Sequence, residues 1–141
     1  MKSKSLVLFF VIFTSGCSNK VDDDYVWKPL EVTVTAYNSL SSQTDSSPNL
    51  AAWGDTLKPG MKCIAVSRDL ITLGITHNTM IKIDTFPGVY LVKDKMNRRW
   101  RNRIDIYMGE DRQKAKQWGR KKLVIRYAVK KDSTTTETDT P

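Results

Sequence analysis

Hydrophobic and polar residues alternate in several short stretches of the chain, a pattern typical of β-strands that bury one face. Six such stretches lie at residues 31–37, 62–67, 79–84, 88–93, 102–107 and 122–129. One helix is predicted over residues 110–118, because Gly119 follows at a C-cap position. Six strands without regular strand–helix alternation favour an all-β fold. We predict a small closed barrel, which leaves no exposed strand edge.

The chain begins with a different pattern. Lys2 and Lys4 precede eight consecutive apolar residues at 6–13, and small residues then lead to Cys17. An apolar run this short cannot span a bilayer, which needs roughly 20 residues, but it is typical of an export signal. Small residues before a cysteine resemble a bacterial lipobox. We therefore predict a lipoprotein signal peptide at 1–16 and a lipid anchor on Cys17, with plain secretion as the alternative.

The remaining chain divides by composition into three parts. Residues 17–29 are polar and acidic and are predicted to be a tether, residues 30–129 the folded domain, and residues 130–141 a disordered tail. Within the domain, residues 38–61 are rich in Ser, Asp, Pro and Gly. A loop this long in a small domain is usually functional.

The formal net charge of the 141 residues is +8, which favours a polyanionic partner. The basicity is local, since residues 93–122 hold twelve basic and four acidic side chains. Nucleic acid would fit such a segment, as would a solvated face without function. An export signal argues against nucleic acid, whereas peptidoglycan is also anionic and lies outside the cytoplasm. We therefore predict peptidoglycan glycan strands as partner, no nucleic acid, and a membrane-anchored location in the cell envelope, facing the periplasm or the cell surface.

Cysteine and metal chemistry are not indicated. Cys63 lies in an apolar stretch and is predicted to be a small buried side chain, while His77, the one histidine, lies in a polar loop. No cluster of His, Cys or carboxylates has metal-ligand spacing. We expect no metal and no cofactor.

Two carboxylates carry the candidate chemistry. Asp94 ends one apolar strand, and Asp105 lies inside the next between Ile104 and Ile106. Neighbouring strands would bring both to one mouth of a barrel, with Asp105 on the face opposite the two isoleucines. A desolvated inner-face carboxylate near Asp94 would have a raised pKa, as a general acid requires. The structural alternatives are that Asp94 caps a turn and that Asp105 belongs to a polar network with Arg103 or a backbone amide.

Several motifs resemble the three-aspartate domain of bacterial cell-wall proteins and of membrane-bound lytic transglycosylase A. They are found at residues 34–38, 43–45, 64–66, 73–74, 92–94 and 103–107. The resemblance covers residues 32–128 and implies a six-stranded double-psi β-barrel, a fold shared with expansins. It also implies that Asp105 is the single acid/base and that Asp94 supports it. The third aspartate of the family is replaced by Ser67, with Asp69 two residues later and Asp45 as another candidate.

A lytic transglycosylase needs only one acid/base, unlike glycoside hydrolases that use two carboxylates. The resemblance thus implies cleavage of peptidoglycan glycan strands to a 1,6-anhydromuramyl product. The groove would be lined by Tyr37, Thr35, Thr44 and the loop carboxylate Asp45, and Arg103 or Lys93 would bind peptide carboxylates. The alternative function is a non-catalytic polysaccharide-binding module like an expansin.

Overall fold

The computed structural model describes residues 24–38 and 49–131 of the chain. Six strands and two short helices follow one another in these residues: β1 (Tyr25–Tyr37), β2 (Cys63–Val66), α1 (Arg68–Thr72), β3 (Met80–Ile83), β4 (Phe86–Lys95), β5 (Arg103–Tyr107), α2 (Arg112–Trp118) and β6 (Lys121–Lys130). The signal peptide, Cys17, Thr44, Asp45 and most of the predicted tail lie outside the described residues.

The strands form one closed barrel in the order β1-β5-β2-β4-β3-β6, which confirms the predicted all-β barrel. The pairs β1/β5 and β2/β4 are parallel, and the other four pairs are antiparallel. Consecutive strands β1 and β2 run in opposite directions with β5 between them. In the same way β4 and β5 enclose β2. These two matching loops, one in each half of the chain, are the double-psi arrangement.

The barrel interior is filled by aliphatic side chains from all six strands. Among its fully buried members are Val34 of β1, Ile64 of β2, Ile81 of β3, Val92 of β4 and Ile125 of β6, together with the two isoleucines of β5. Their alternation with outward-facing residues produces the period-two pattern of the sequence. Burial of this aliphatic core is the main term that holds the barrel closed.

Strand β1 begins at Tyr25, inside residues 17–29, which the composition predicts to be a tether. Residues 25–29 contain Lys28 and Pro29, which obscure the strand pattern in the sequence. They are nonetheless paired with β6, along which β1 forms a ten-residue antiparallel ribbon from Tyr25 to Val34. Cross-strand pairing over this length compensates for the weak local preference of the segment.

The predicted helix is present as α2, two residues shorter at its start. The Asp111 side chain accepts a hydrogen bond from the Lys114 backbone N–H at 2.9 Å, which caps the helix. Gly119 ends the helix with a positive φ of 68°, a conformation that glycine adopts readily. The five-residue helix α1 was not predicted, because one turn is too short for a helical period to appear in the sequence.

Candidate active site

Four side chains form a row across four adjacent strands. Asp105 on β5 is in register with Thr35 on β1 and, on its other side, with Ala65 on β2. Ala65 is in turn in register with Asp94 on β4. Residues in register on neighbouring strands project from the same face of a sheet. The structure thus brings together Asp105, Asp94 and Thr35. The strands β4 and β5 were expected to be neighbours, but β2 lies between them.

This row lies on the outer face of the barrel. Ile104 and Ile106, on either side of Asp105, are 0% and 2% exposed and belong to the interior core. Asp105 therefore projects outward, and the predicted inner-face position at a barrel mouth is wrong. The physical reason is that the interior is closely filled by aliphatic side chains, among which a carboxylate would be left without hydrogen-bond partners.

The outer face next to the row is nevertheless buried. A second apolar cluster consists of Cys63 and Tyr107 from the barrel and Ala51 and Leu57 from the segment that precedes β2. The described part of this segment, residues 49–62, also binds the row directly. The Ala52 N–H donates to Asp94 Oδ1 at 2.7 Å. This covering segment removes water from one side of the carboxylate row.

The surroundings of Asp105 favour the protonated form of its carboxyl group. Burial raises the pKa of its carboxyl, and the negative charge of Asp94 raises it further. A hydrogen bond from the Thr35 side chain and the positive charge of Arg103 lower the pKa, but the net direction is upward. The Oδ1 atom is buried and has no hydrogen-bond partner among the described residues. A partly exposed carboxyl in this setting holds its proton to higher pH than an ordinary aspartate.

Asp94 has a structural role as well as an electrostatic one. Its Oδ1 accepts hydrogen bonds from the backbone N–H groups of Ala52 at 2.7 Å and Lys95 at 2.8 Å. The first bond fixes the covering segment to β4, and the second lies within β4 itself. Asp94 therefore has the contacts of a capping residue. Its negative charge still raises the pKa of Asp105, which lies on the other side of Ala65 in the row.

A β-bulge in β4 explains how two consecutive residues face the covering segment. Ile64 is in register with Val92, but Ala65 is in register with Asp94, so Lys93 is the extra residue. Bulges redirect side chains in this way and are common beside active sites. Lys93 Nζ binds Asp55 Oδ1 at 2.8 Å. The ammonium group predicted to bind substrate is thus paired with a carboxylate of the protein.

Arg103 lies two residues before Asp105 and projects from the same face of β5. Its side chain is 9% exposed, and its guanidinium lies 3.8 Å from the centre of the Trp100 ring. Burial and the nearby charge of Arg120 lower its pKa, while Asp105 raises it. Its Nε atom is buried without a partner in the described part of the chain. Arg103 therefore supplies a fixed positive charge beside the acid.

Ser67 and Asp69 do not add a third carboxylate to the row. The fully buried Ser67 pairs with Arg103: its Oγ accepts from the Arg103 N–H at 3.0 Å, and its own N–H donates to the Arg103 carbonyl at 2.9 Å. Asp69 Oδ2 accepts from the Asn102 N–H at 2.8 Å and so holds the loop before β5. Of the described carboxylates, the row contains Asp94 and Asp105.

Tyr37 completes the outer face beyond Thr35. Its ring lies 5.4 Å from that of Tyr107. Burial raises the pKa of its hydroxyl far above the usual value, and the charges of Asp94 and Asp105 add to this effect. The hydroxyl oxygen is buried and lacks a partner among the residues described. At any physiological pH Tyr37 is a neutral group that can donate a hydrogen bond.

Sequence reasoning missed a polar cluster beside the row. Asp55 Oδ2 binds His77 Nε2 at 2.5 Å, and the His77 ring stacks on Trp53 with 5.3 Å between ring centres. Lys95 Nζ lies 4.7 Å from the centre of the Trp53 ring. The one available signal was His77 itself, but its partner comes from a segment 22 residues earlier, which local patterns do not reveal.

The thiol of Cys63 belongs to the second apolar cluster. Burial raises the pKa of Cys63 to about 11, so the thiol is a weak nucleophile at neutral pH. No group of three His, Cys, Asp or Glu side chains in residues 24–38 and 49–131 is arranged to hold a metal ion. Across the same residues, no helix has the length and apolar character needed to cross a membrane.

A comparison of the sequence with models of known protein families finds no match, and no curated protein matches it significantly.

Proposed function

We propose that the protein is a peptidoglycan lytic transglycosylase of the cell envelope, with Asp105 as its single general acid/base. The observation that carries this proposal is the row itself: an outward-facing carboxyl with a raised pKa, beside a second carboxylate at Asp94. The motifs that resemble the three-aspartate domain include both aspartates. The resemblance of the residues before Cys17 to a lipobox supports a membrane-anchored location from which the protein would reach the wall.

The proposed reaction needs one proton-transfer group. Protonated Asp105 donates its proton to the glycosidic oxygen between N-acetylmuramic acid and N-acetylglucosamine, and the bond from that oxygen to the muramyl anomeric carbon breaks. The muramyl C6 oxygen then bonds to the same carbon and closes a 1,6-anhydro ring. Its proton passes to the Asp105 carboxylate, which restores the acid. No water is consumed.

Other groups of the site support this chemistry. The negative charge of Asp94 would stabilise the positive charge that develops at the anomeric carbon, and it raises the pKa of Asp105 in the resting protein. The hydroxyls of Thr35 and Tyr37 lie along one side of the row and would hydrogen-bond to the sugar. The positive charge of Arg103 would stabilise the Asp105 carboxylate that remains after proton donation.

A non-catalytic polysaccharide-binding module, like an expansin, is the second candidate. Two features of the site favour it. Asp94 Oδ1 is already bound to the Ala52 and Lys95 amides, and Ser67, at the position of the third family aspartate, is fully buried in backbone hydrogen bonds. A site in which these groups are structural retains one acid, and its second carboxylate is bound to the backbone rather than open to substrate.

Digestion of purified sacculi separates the two functions. The full chain, purified in detergent, is incubated with sacculi, and the soluble products are analysed by mass spectrometry. The enzyme proposal expects 1,6-anhydromuropeptides from the wild type and none above background from Asp105→Asn. Binding of sacculi without any anhydro product would reject the enzyme and support the binding module. Product formation that survives Asp105→Asn would reject the role given to Asp105.

A further inference from the structure

A pocket lies between the end of β1 and helix α2, directly beside the carboxylate row. Its volume is about 430 Å³, and it is lined by Thr35, Ala36, Tyr37, Asn38, Arg112, Ala115, Lys116 and Gly119. Thr35 belongs both to this pocket and to the row, since it is in register with Asp105. A ligand in the pocket would therefore touch Thr35 and lie close to Asp105.

The charges around this α2 pocket are positive. Arg112 and Lys116 line it, and no acidic side chain is among its lining residues. The nearest helix carboxylate, Asp111, accepts the Lys114 N–H and caps the helix. Arg120 adds a further positive charge, because it immediately precedes β6, whose Lys121 is in register with Val34. Arg120 is also close enough to Arg103 for its charge to lower the pKa of that guanidinium.

The β1 side of the pocket supplies uncharged polar groups. The Tyr37 hydroxyl and the Asn38 side-chain oxygen are buried atoms that have no hydrogen-bond partner within the described residues. One can donate a hydrogen bond and the other can accept one. A basic wall facing a polar neutral wall suits a ligand that carries a carboxylate together with amide or hydroxyl groups.

We propose that the α2 pocket binds a carboxylate of the muramyl substituent and so positions the sugar ring over Asp105. This inference rests on the proposed function and changes one of its details. Lys93 is paired with Asp55, and Arg103 is buried against Trp100, so the two expected carboxylate binders are already engaged. Arg112 and Lys116 are exposed and face an open pocket, so they take that role.

The charged groups on the two sides of Asp105 differ, so they would orient a bound glycan chain. Arg112, Lys116 and Arg120 lie on the β1 and β6 side of Asp105, whereas Asp94 and the covering segment lie on the β2 and β4 side. An anionic substituent is attracted to the first side, whereas on the second side the Lys93 ammonium is already paired with Asp55 and Asp94 carries a negative charge. A glycan chain with one peptide-bearing sugar in each disaccharide would bind in one orientation, with the muramyl residue next to the pocket.

The test measures binding rather than cleavage, so that it remains informative if the protein proves not to be an enzyme. Full-length Asp105→Asn protein in detergent is bound to three insoluble matrices at low salt. These are sacculi stripped of attached polymers, glycan strands freed of their stem peptides by an amidase and immobilised on beads, and chitin. The amidase leaves the lactyl carboxylate on the muramyl sugar, and chitin has no carboxylate. Arg112→Gln/Lys116→Gln is compared with Lys28→Gln/Lys131→Gln, which removes the same charge from exposed positions at the other end of β1.

We expect the pocket double variant to bind intact sacculi about threefold to tenfold more weakly than the control double variant, because exposed charge pairs contribute modestly. The difference should disappear at about 1 M salt, and chitin binding should be equal. A loss on intact sacculi alone identifies stem-peptide carboxylates, because the lactyl carbonyl is an uncharged amide there. A further loss on the peptide-free glycan strands shows that the pocket also accepts the free lactyl carboxylate. Equal binding by both double variants to intact sacculi, or an equal loss on chitin, would overturn the inference.

Discussion

Asp94 and Asp105 are both in register with Ala65, which separates them on the outer face of the barrel. Two strand spacings place their backbones about 10 Å apart. At that separation each carboxylate acts on the other through its charge rather than through a shared proton. Asp94 accordingly raises the pKa of Asp105 while keeping its own hydrogen bonds to the Ala52 and Lys95 amides.

Asp105→Asn removes the proposed acid and keeps its size. The rate of anhydromuropeptide release should fall by about 10²–10⁴, the usual contribution of a general acid. Because the folded protein raises the pKa of Asp105, ionisation of this carboxyl at neutral pH costs folding stability. The melting temperature at pH 7 should therefore not fall. Product analysis and thermal melts check the two parts.

Asp84→Asn is the matched control, since Asp84 pairs with Arg126 at 2.8 Å on the surface and both side chains are roughly half exposed. It should keep full activity. An equal loss of activity in the two variants would argue against a specific role for Asp105.

Two substitutions of Asp94 separate its charge from its hydrogen bonds. Asp94→Asn keeps an acceptor for the Ala52 N–H but removes the charge, so the pKa of Asp105 should fall. Because Asp105 must be protonated to donate, the alkaline limb of the pH–activity profile should move to lower pH. Asp94→Ala also removes the acceptor, and we expect it to lower the free energy of unfolding by about 1–2 kcal/mol relative to Asp94→Asn.

Denaturant titrations and pH–rate profiles of the two Asp94 variants provide the measurement. Identical stabilities would show that the hydrogen bonds to the covering segment contribute little. An unchanged alkaline limb in Asp94→Asn would remove the electrostatic role.

Much of the local structure was predictable from the sequence. Strict alternation around Asp105 correctly placed it opposite Ile104 and Ile106, because period-two patterning follows directly from strand geometry. The pattern did not reveal which of the two faces is the interior. That depends on where the aliphatic faces of all six strands converge, which is a property of the whole barrel.

The strand order was equally beyond local reasoning. The insertion of β2 between β4 and β5 is a long-range pairing, and adjacent strands in the sequence need not be neighbours in a barrel. The bulge at Lys93 likewise depends on the pairing of β2 with β4, and the ion pair between Lys93 and Asp55 joins residues 38 positions apart. The position of the covering segment against β4 was therefore not predictable from the sequence.

Cys63 should be nearly inert in the native protein. Its side chain is 1% exposed, and burial raises its pKa to about 11. Little thiolate is present at pH 8, so alkylation by iodoacetamide should be about a hundredfold slower than in the denatured chain, whose cysteine pKa is near 8.5. A Cys17→Ala background confines the label to Cys63, and mass spectrometry follows the rate. Rapid native labelling would mean that the apolar cluster of Cys63 and Tyr107 is open to solvent.

Asp55 should make the stability of the protein depend on pH in acid. Hydrogen bonds from Lys93 and His77 lower the pKa of its carboxyl below the ordinary value near 4. A carboxyl with a depressed folded pKa stabilises the protein above its unfolded pKa, and this contribution is lost as pH falls through the lower folded value. Asp55→Asn lacks the contribution at every pH. Melting temperatures of wild type and Asp55→Asn should therefore differ above about pH 4 and converge as the pH is lowered further. Melting curves that stay the same distance apart down to the lowest pH at which the protein is folded would contradict the charge-based role of Asp55, with Asp84→Asn again as the control for a general surface effect.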